Sequence, residues 1–106
     1  MSLLTIEILD EALAHIPGWV YADNCIAKQF VFTDFVEAIT TINKIAIVAE
    51  EMKHHPEWSN VYNKLAIRLS THDSGGVTTK DIRLAHAIEI IIKEIPYSEP
   101  FKIENV

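Results

Sequence analysis

Residues 57–70 read EWSNVYNKLAIRLS. In its second half Leu65, Ile67 and Leu69 alternate with Lys64, Arg68 and Ser70, the period of two that lets a strand bury one face and wet the other. In its first half Trp58, Asn60 and Tyr62 share one side, and aromatic core is the ordinary reading of that pair of rings. The stretch therefore predicts a β-hairpin, with strands at 57–62 and 65–70 around a tight Asn63-Lys64 turn.

A lone hairpin cannot shelter its apolar face, so the flanking sequence must supply a cover. Upstream, Asp34 stands as an N-cap with Glu37 three residues on, a capping-box spacing that opens a long helix. Phe35, Ile39, Ile42, Ala46, Ala49 and Met52 make its expected core stripe. Pro56 disfavours helical geometry in the residue before it and stops the helix near His54-His55. Downstream, Thr71 to Val77 with Gly75-Gly76 reads as a loop, and Thr78 caps a last helix reaching about Glu94. Asp81 sits at that helix's favourable N-terminal end, and Leu84, Ile88, Ile91 and Ile95 form the inward stripe.

At the other end, Thr5 to His15 is a short helix with Ile6, Leu9, Leu13 and Ile16 on one side, stopped by Pro17-Gly18. Residues 19–22 and 26–32 then form a second hairpin around Asp23-Asn24. The order is α-β-β-α-β-β-α, an α+β domain: a four-stranded antiparallel sheet with three helices packed on one face. The 106 residues suit one domain, 1–106, with no repeat or linker, and 96–106 is a tail without a strong signal.

Composition narrows the function classes. The net charge is -6 and the nine Lys and Arg are scattered, which argues against direct nucleic-acid binding. The N-terminus has no basic leader, and no apolar run approaches the ~20 residues of a membrane span. Cys25 is the single cysteine, so no internal disulfide can form, and a cytoplasmic location is expected.

Three of the five histidines are drawn together by the hairpin. With the turn at Asn63-Lys64, the numbers of facing residues sum to 126 or 127, which sets His72 opposite His54 or His55. Glu50 lies four residues before His54 on the same helix face, roughly 6 Å along the axis, and Asp81 follows in the first turn after the loop. For this cluster a structural role, proton transfer and metal binding all stand open. Metal is the weaker functional reading, because adjacent His54 and His55 are poorly placed to share one ion and no His-x-x-x-His pair or second cysteine exists. Glu50 and Asp81 can equally be ordinary helix charges, and His15 and His86 receive no role. Gly75-Gly76 lacks the following Lys-Ser or Lys-Thr of a phosphate loop.

Glu50 through Trp58, Asn60 through Lys64, Ser70-Thr71-His72 and Lys80-Asp81-Ile82 together resemble the pterin-4a-carbinolamine dehydratase family. The pattern is E-x3-H-H-P, an aromatic residue six later, a His ten further on and an Asp nine beyond that. Leu13 to Trp19 and Phe30 to Phe35 are similar to the family as well, so the likeness runs to about Glu94.

The resemblance implies a lyase that dehydrates a 4a-hydroxytetrahydropterin, the product of aromatic amino-acid hydroxylases, to the quinonoid dihydropterin in tetrahydrobiopterin recycling. It implies that His54 and His72 transfer protons, that His55 holds the pterin and that Glu50 and Asp81 support the histidines. Substrate contacts are implied at Lys53, His54, His55 and Trp58, and at Ser70, Thr71, His72 and Asp73. It implies no metal and no cofactor. Some family members also serve as dimerisation cofactors of a homeodomain transcription factor, so an interaction protein is the competing reading. A relative serving another pterin-linked pathway, such as molybdopterin metabolism, is a third. Lys53 departs from the pattern, since some relatives carry an acidic or amide residue there. Ile47 and Val48 interrupt what should be a solvated helix face, and relatives assemble through their sheets and long helices, so a homodimer or homotetramer is expected with these two residues in the contact.

Overall fold

Thr5 and Asp34 start the first two helices by the same device, a side-chain oxygen accepting a backbone N–H three residues on, from Ile8 at 3.2 Å and from Glu37 at 2.8 Å. These bonds belong to a computed structural model that describes residues 2–94. Its elements run α1 (Ile6–Ala14), β1 (Val20–Ala22), β2 (Cys25–Val31), α2 (Phe35–Met52), β3 (Glu57–Val61), β4 (Lys64–Leu69), a 3-10 turn at His72–Ser74, and α3 (Thr79–Glu94). The expected order of seven elements is observed. The expected Ile95 of the last core stripe and the tail 96–106 lie outside the described residues.

The sheet is antiparallel throughout, in the order β1-β2-β4-β3. Ile26, Phe30, Leu65, Ile67 and Leu69 share the face that meets the helices, and all are buried. The opposite face carries Gln29, Val31, Ser59, Val61 and Arg68 and is open to solvent. Asp23 and Asn24 both adopt positive φ, 52° and 61°, between the paired Ala22 and Cys25, the backbone a two-residue hairpin turn requires. Gly18 is needed for two reasons. Its φ is +91°, and a Cβ there would stand 2.9 Å from Lys28 Cε. Lys28 in turn donates to Pro17 O at 2.8 Å and pairs with Glu89, which also accepts from Trp19 Nε1 at 3.0 Å, fastening the first hairpin to α3.

Three details differ from the sequence expectation. The β3-β4 hairpin turns at Tyr62-Asn63: Val61 faces Lys64 and Glu57 faces Arg68, so facing numbers sum to 125 rather than 126 or 127. Tyr62 takes φ +52°, and the Asn60 amide donates to both Tyr62 O and Lys64 O, closing the turn early. In α2 the buried residues are Glu37, Ala38, Thr41, Ile45 and Ala49, while Phe35 and Ala46 are exposed. The exposed face runs through Thr40, Asn43, Lys44, Ile47, Glu50 and Glu51, and the inward face takes in two polar residues. Glu37 Oε1 folds back to accept from Thr33 N–H at 3.1 Å, and Thr41 Oγ1 donates to Glu37 O at 2.9 Å, which lets both residues turn inward. Val48 consequently packs on its own core and only Ile47 is exposed, which corrects the expectation that both face outward. In α1, Ile6 is exposed although Leu9 and Ile16 are buried.

Candidate active site

α2 ends on a residue whose charge suits a helix C-terminus but whose conformation is one that a side chain disfavours. Lys53 adopts the left-handed region, φ 53° and ψ 40°, where glycine is usual. Its N–H donates to Glu50 O, and His54 N–H reaches back to Ala49 O at 3.0 Å, the crossed pair of bonds that reverses a chain at a helix end. The reversal swings His54 beneath the helix terminus, and the residue is only 8% exposed.

Its partner comes from α3. Thr78 Oγ1 accepts from Lys80 N–H at 3.2 Å, and Asp81 Oδ2 accepts from Thr78 N–H at 2.8 Å, the reciprocal cap expected of a Thr with an acid three residues on. That leaves Asp81 Oδ1 aimed inward, 2.5 Å from His54 Nε2, with Asp81 itself 0% exposed. With the carboxylate as acceptor, the ring proton lies on Nε2, and Nδ1 is the nitrogen left for other chemistry.

Thr71 completes the support. Its hydroxyl donates to Asp81 Oδ2 at 2.9 Å, so Thr78 supplies the proton of the 2.6 Å Thr71–Thr78 bond. Thr71 also forms a backbone bridge with Gly76, donating to Gly76 O at 2.7 Å, which closes the loop bearing His72. The residues before α1 brace this loop from outside. Leu4 N–H donates to Val77 O at 3.0 Å, and a Cβ at Gly76 would meet Leu3 Cδ2 at 3.1 Å.

His54, His55 and His72 line one cavity of about 300 Å³, together with Lys53, Thr71 and Lys80. Ser70 and Asp73 complete its wall, so every lining residue is polar or charged. His55 is exposed and stands 3.3 Å from Glu50 Oε1. The carboxylate expected on the His54 face thus pairs with His55 instead, because the left-handed Lys53 removes His54 from the helical register. An exposed pair of this kind contributes about 0–1 kcal/mol. Trp58 lies elsewhere, half-buried beside a shallow cavity formed with Glu57, Ser59, Ala66 and Arg68. Lys80 received no role from sequence, and the only signal for it was its place next to Asp81. Among the described residues no three His, Cys, Asp or Glu groups converge as metal ligands.

This geometry can be set against known proteins. The family model described as pterin 4 alpha carbinolamine dehydratase matches residues 2–91. The chain belongs to that family. A relative from Prochlorococcus marinus (strain NATL2A), provisionally named a pterin-4-alpha-carbinolamine dehydratase, is 44% identical over 92 residues, 87% of this chain and 97% of the relative. A Bradyrhizobium diazoefficiens relative with the same provisional name is 50% identical over 95 residues, 88% of this chain and 95% of the relative. The crystal structure of a transcriptional coactivator/pterin dehydratase from Brucella melitensis superposes with a TM-score of 0.82 at 38% identity, over 85% of this chain and 98% of that one. A pterin-4a-carbinolamine dehydratase fold is therefore what carries the three histidines to one cavity.

Proposed function

We propose that the protein dehydrates a 4a-hydroxytetrahydropterin to the quinonoid dihydropterin by histidine acid–base catalysis. The observation that carries this reading is the convergence of His54, His55 and His72 on one small polar cavity, with His54 anchored on buried Asp81. In the reaction the C4a–O bond breaks and the oxygen leaves as water, taking a proton from one imidazole. The N5 proton passes to a second imidazole as the C4a–N5 double bond forms. His54 and His72 are the two proton carriers: His54 presents Nδ1 because Nε2 is held by Asp81, and His72 lines the same cavity from an exposed turn. His55, steadied by Glu50, holds the ring. A positioned acid or base of this kind contributes about 10²–10⁴-fold each.

The substrate is the product of an aromatic amino-acid hydroxylase, which places the reaction in tetrahydrobiopterin recycling, in the cytoplasm. No helix among the described residues is long and apolar enough to cross a membrane. The test is a spectrophotometric dehydration assay on wild type and on a folded His54→Ala, His72→Ala double variant. Wild-type turnover with a loss of about 10²-fold or more in the double variant supports the reading. Equal rates would falsify it. Activity is expected to survive dialysis against EDTA.

A further inference from the structure

We infer that Thr71 and Thr78 are positioning residues of this site: their hydroxyls form a buried relay that fixes Asp81 and, through it, the ring of His54. This rests on the dehydratase reading and adds two residues to its machinery. Asp81 Oδ2 accepts from the Thr71 hydroxyl at 2.9 Å and from Thr78 N–H at 2.8 Å, and the two hydroxyls meet at 2.6 Å. Thr78, Thr71 and Asp81 thus close a ring of three hydrogen bonds. All three residues are buried, Thr78 and Asp81 completely.

The ring runs in one direction. A carboxylate only accepts and a hydroxyl has one proton, so Thr71 gives its proton to Asp81 and receives that of Thr78. Thr78 Oγ1 is placed in turn by Lys80 N–H, at 3.2 Å. Both lone pairs of Oδ2 are engaged, so the carboxylate is kept from turning and presents Oδ1 to His54 Nε2 at 2.5 Å. Thr71 lines the cavity, yet it has no proton left to offer a ligand there. Its hydroxyl therefore acts on the chemistry through Asp81 and not as a donor to the pterin. Thr78 stands behind the cavity wall, and its hydroxyl reaches Asp81 only through Thr71. In a water-poor interior consecutive hydrogen bonds polarise one another, so losing the outer one weakens the inner.

The test measures steady-state dehydration by Thr71→Val, Thr78→Val and the double variant, each shown by urea unfolding to be folded. Valine keeps the shape and removes the hydroxyl, and alanine replaces it wherever a valine variant does not fold. Thr71→Val is expected to lower kcat by about tenfold with KM unchanged, the scale of one lost hydrogen bond to a charged group. Thr78→Val should lower kcat by about threefold, the scale of a neutral hydrogen bond. Because Thr78 acts through Thr71, the double variant should be no slower than Thr71→Val alone. Thr71→Ser and Thr78→Ser, which put the hydroxyl back, should recover most of each loss. In proton NMR the downfield His54 Nε2–H resonance should move in both valine variants and return in both serine variants. A raised KM with unchanged kcat in Thr71→Val would give the hydroxyl to the substrate and overturn the inference. Wild-type kcat in both valine variants, or losses that multiply in the double variant, would overturn it too. A wild type inactive on 4a-hydroxytetrahydropterin removes the dehydratase reading alone. The relay is then decided by the Nε2–H resonance, and an unmoved resonance in Thr71→Val sinks it.

Discussion

One oxygen of Asp81 holds His54 Nε2 at 2.5 Å, and the other closes the first turn of α3 on the Thr78 N–H at 2.8 Å. A single buried carboxylate therefore starts a helix and aims a histidine, so substitutions at Asp81 separate the two jobs.

Asp81→Asn keeps an oxygen for the Thr78 N–H but turns an amide NH₂ towards His54 Nε2, so the imidazole must move its proton to Nδ1 to accept from the amide and no longer offers a basic nitrogen to the cavity. Turnover should fall by about 10²-fold with little change in urea midpoint. Asp81→Ala should also lose the cap and leave Thr71 and His54 without their acceptor, costing about 2–4 kcal/mol of stability. An Asn variant with wild-type kcat would show that the His54–Asp81 contact is structural only.

Lys53→Gly relieves the left-handed backbone at the end of α2. The urea unfolding midpoint should rise, corresponding to about 1 kcal/mol, while Lys53→Val should lower it. A less stable glycine variant would mean that the lysine side chain packs usefully enough to outweigh the strain.

Glu37 is 4% exposed, and its Oε2 is buried without a partner among the described residues. Glu37→Gln keeps the acceptor for Thr33 N–H and replaces an orphan carboxylate oxygen by a less costly amide. It should gain about 1 kcal/mol in urea unfolding, whereas Glu37→Ala should lose stability with the cap. A destabilised glutamine variant would point to a partner for Oε2.

Ile47 is 62% exposed on the outer side of α2. A homodimer or homotetramer joined through that side should be reduced to smaller species by Ile47→Glu in analytical ultracentrifugation at high micromolar concentration. Val48→Lys should act differently, by unfolding the protomer, since Val48 packs on the core. Wild type sedimenting as a monomer would sink the proposed assembly.

Element order and the two hairpins were legible in the sequence because each rests on local chemistry: a cap at Asp34 or Thr78, a turn at Asp23-Asn24, an alternation at Leu65, Ile67 and Leu69. Helix phase was not legible in α2. Its outer face is polar at Thr40, Asn43, Lys44, Glu50 and Glu51, but two more polar side chains, Glu37 and Thr41, take inward positions through bonds to backbone groups four residues earlier, and no apolar stripe announces them. The site was half legible. The spacing of His54, His55, His72 and Asp81 survives a one-residue error in hairpin register, because His72 leaves the sheet before register matters. The partner of Glu50 was misplaced, since nothing local marks Lys53 as left-handed: glycine would have signalled it and lysine does not. Lys80 stood in the motif without a role, because a lysine in a first helical turn is ordinary until the cavity wall is seen.

The contacts of Leu3 and Leu4 with Gly76 and Val77 join two stretches far apart in sequence. An insertion just before Gly76 would disturb the seat of the amino-terminal arm, because Gly76 meets Leu3 and Val77 accepts from Leu4. Loop and arm thus form one seam, and a chimera that exchanges one without the other should be mismatched there.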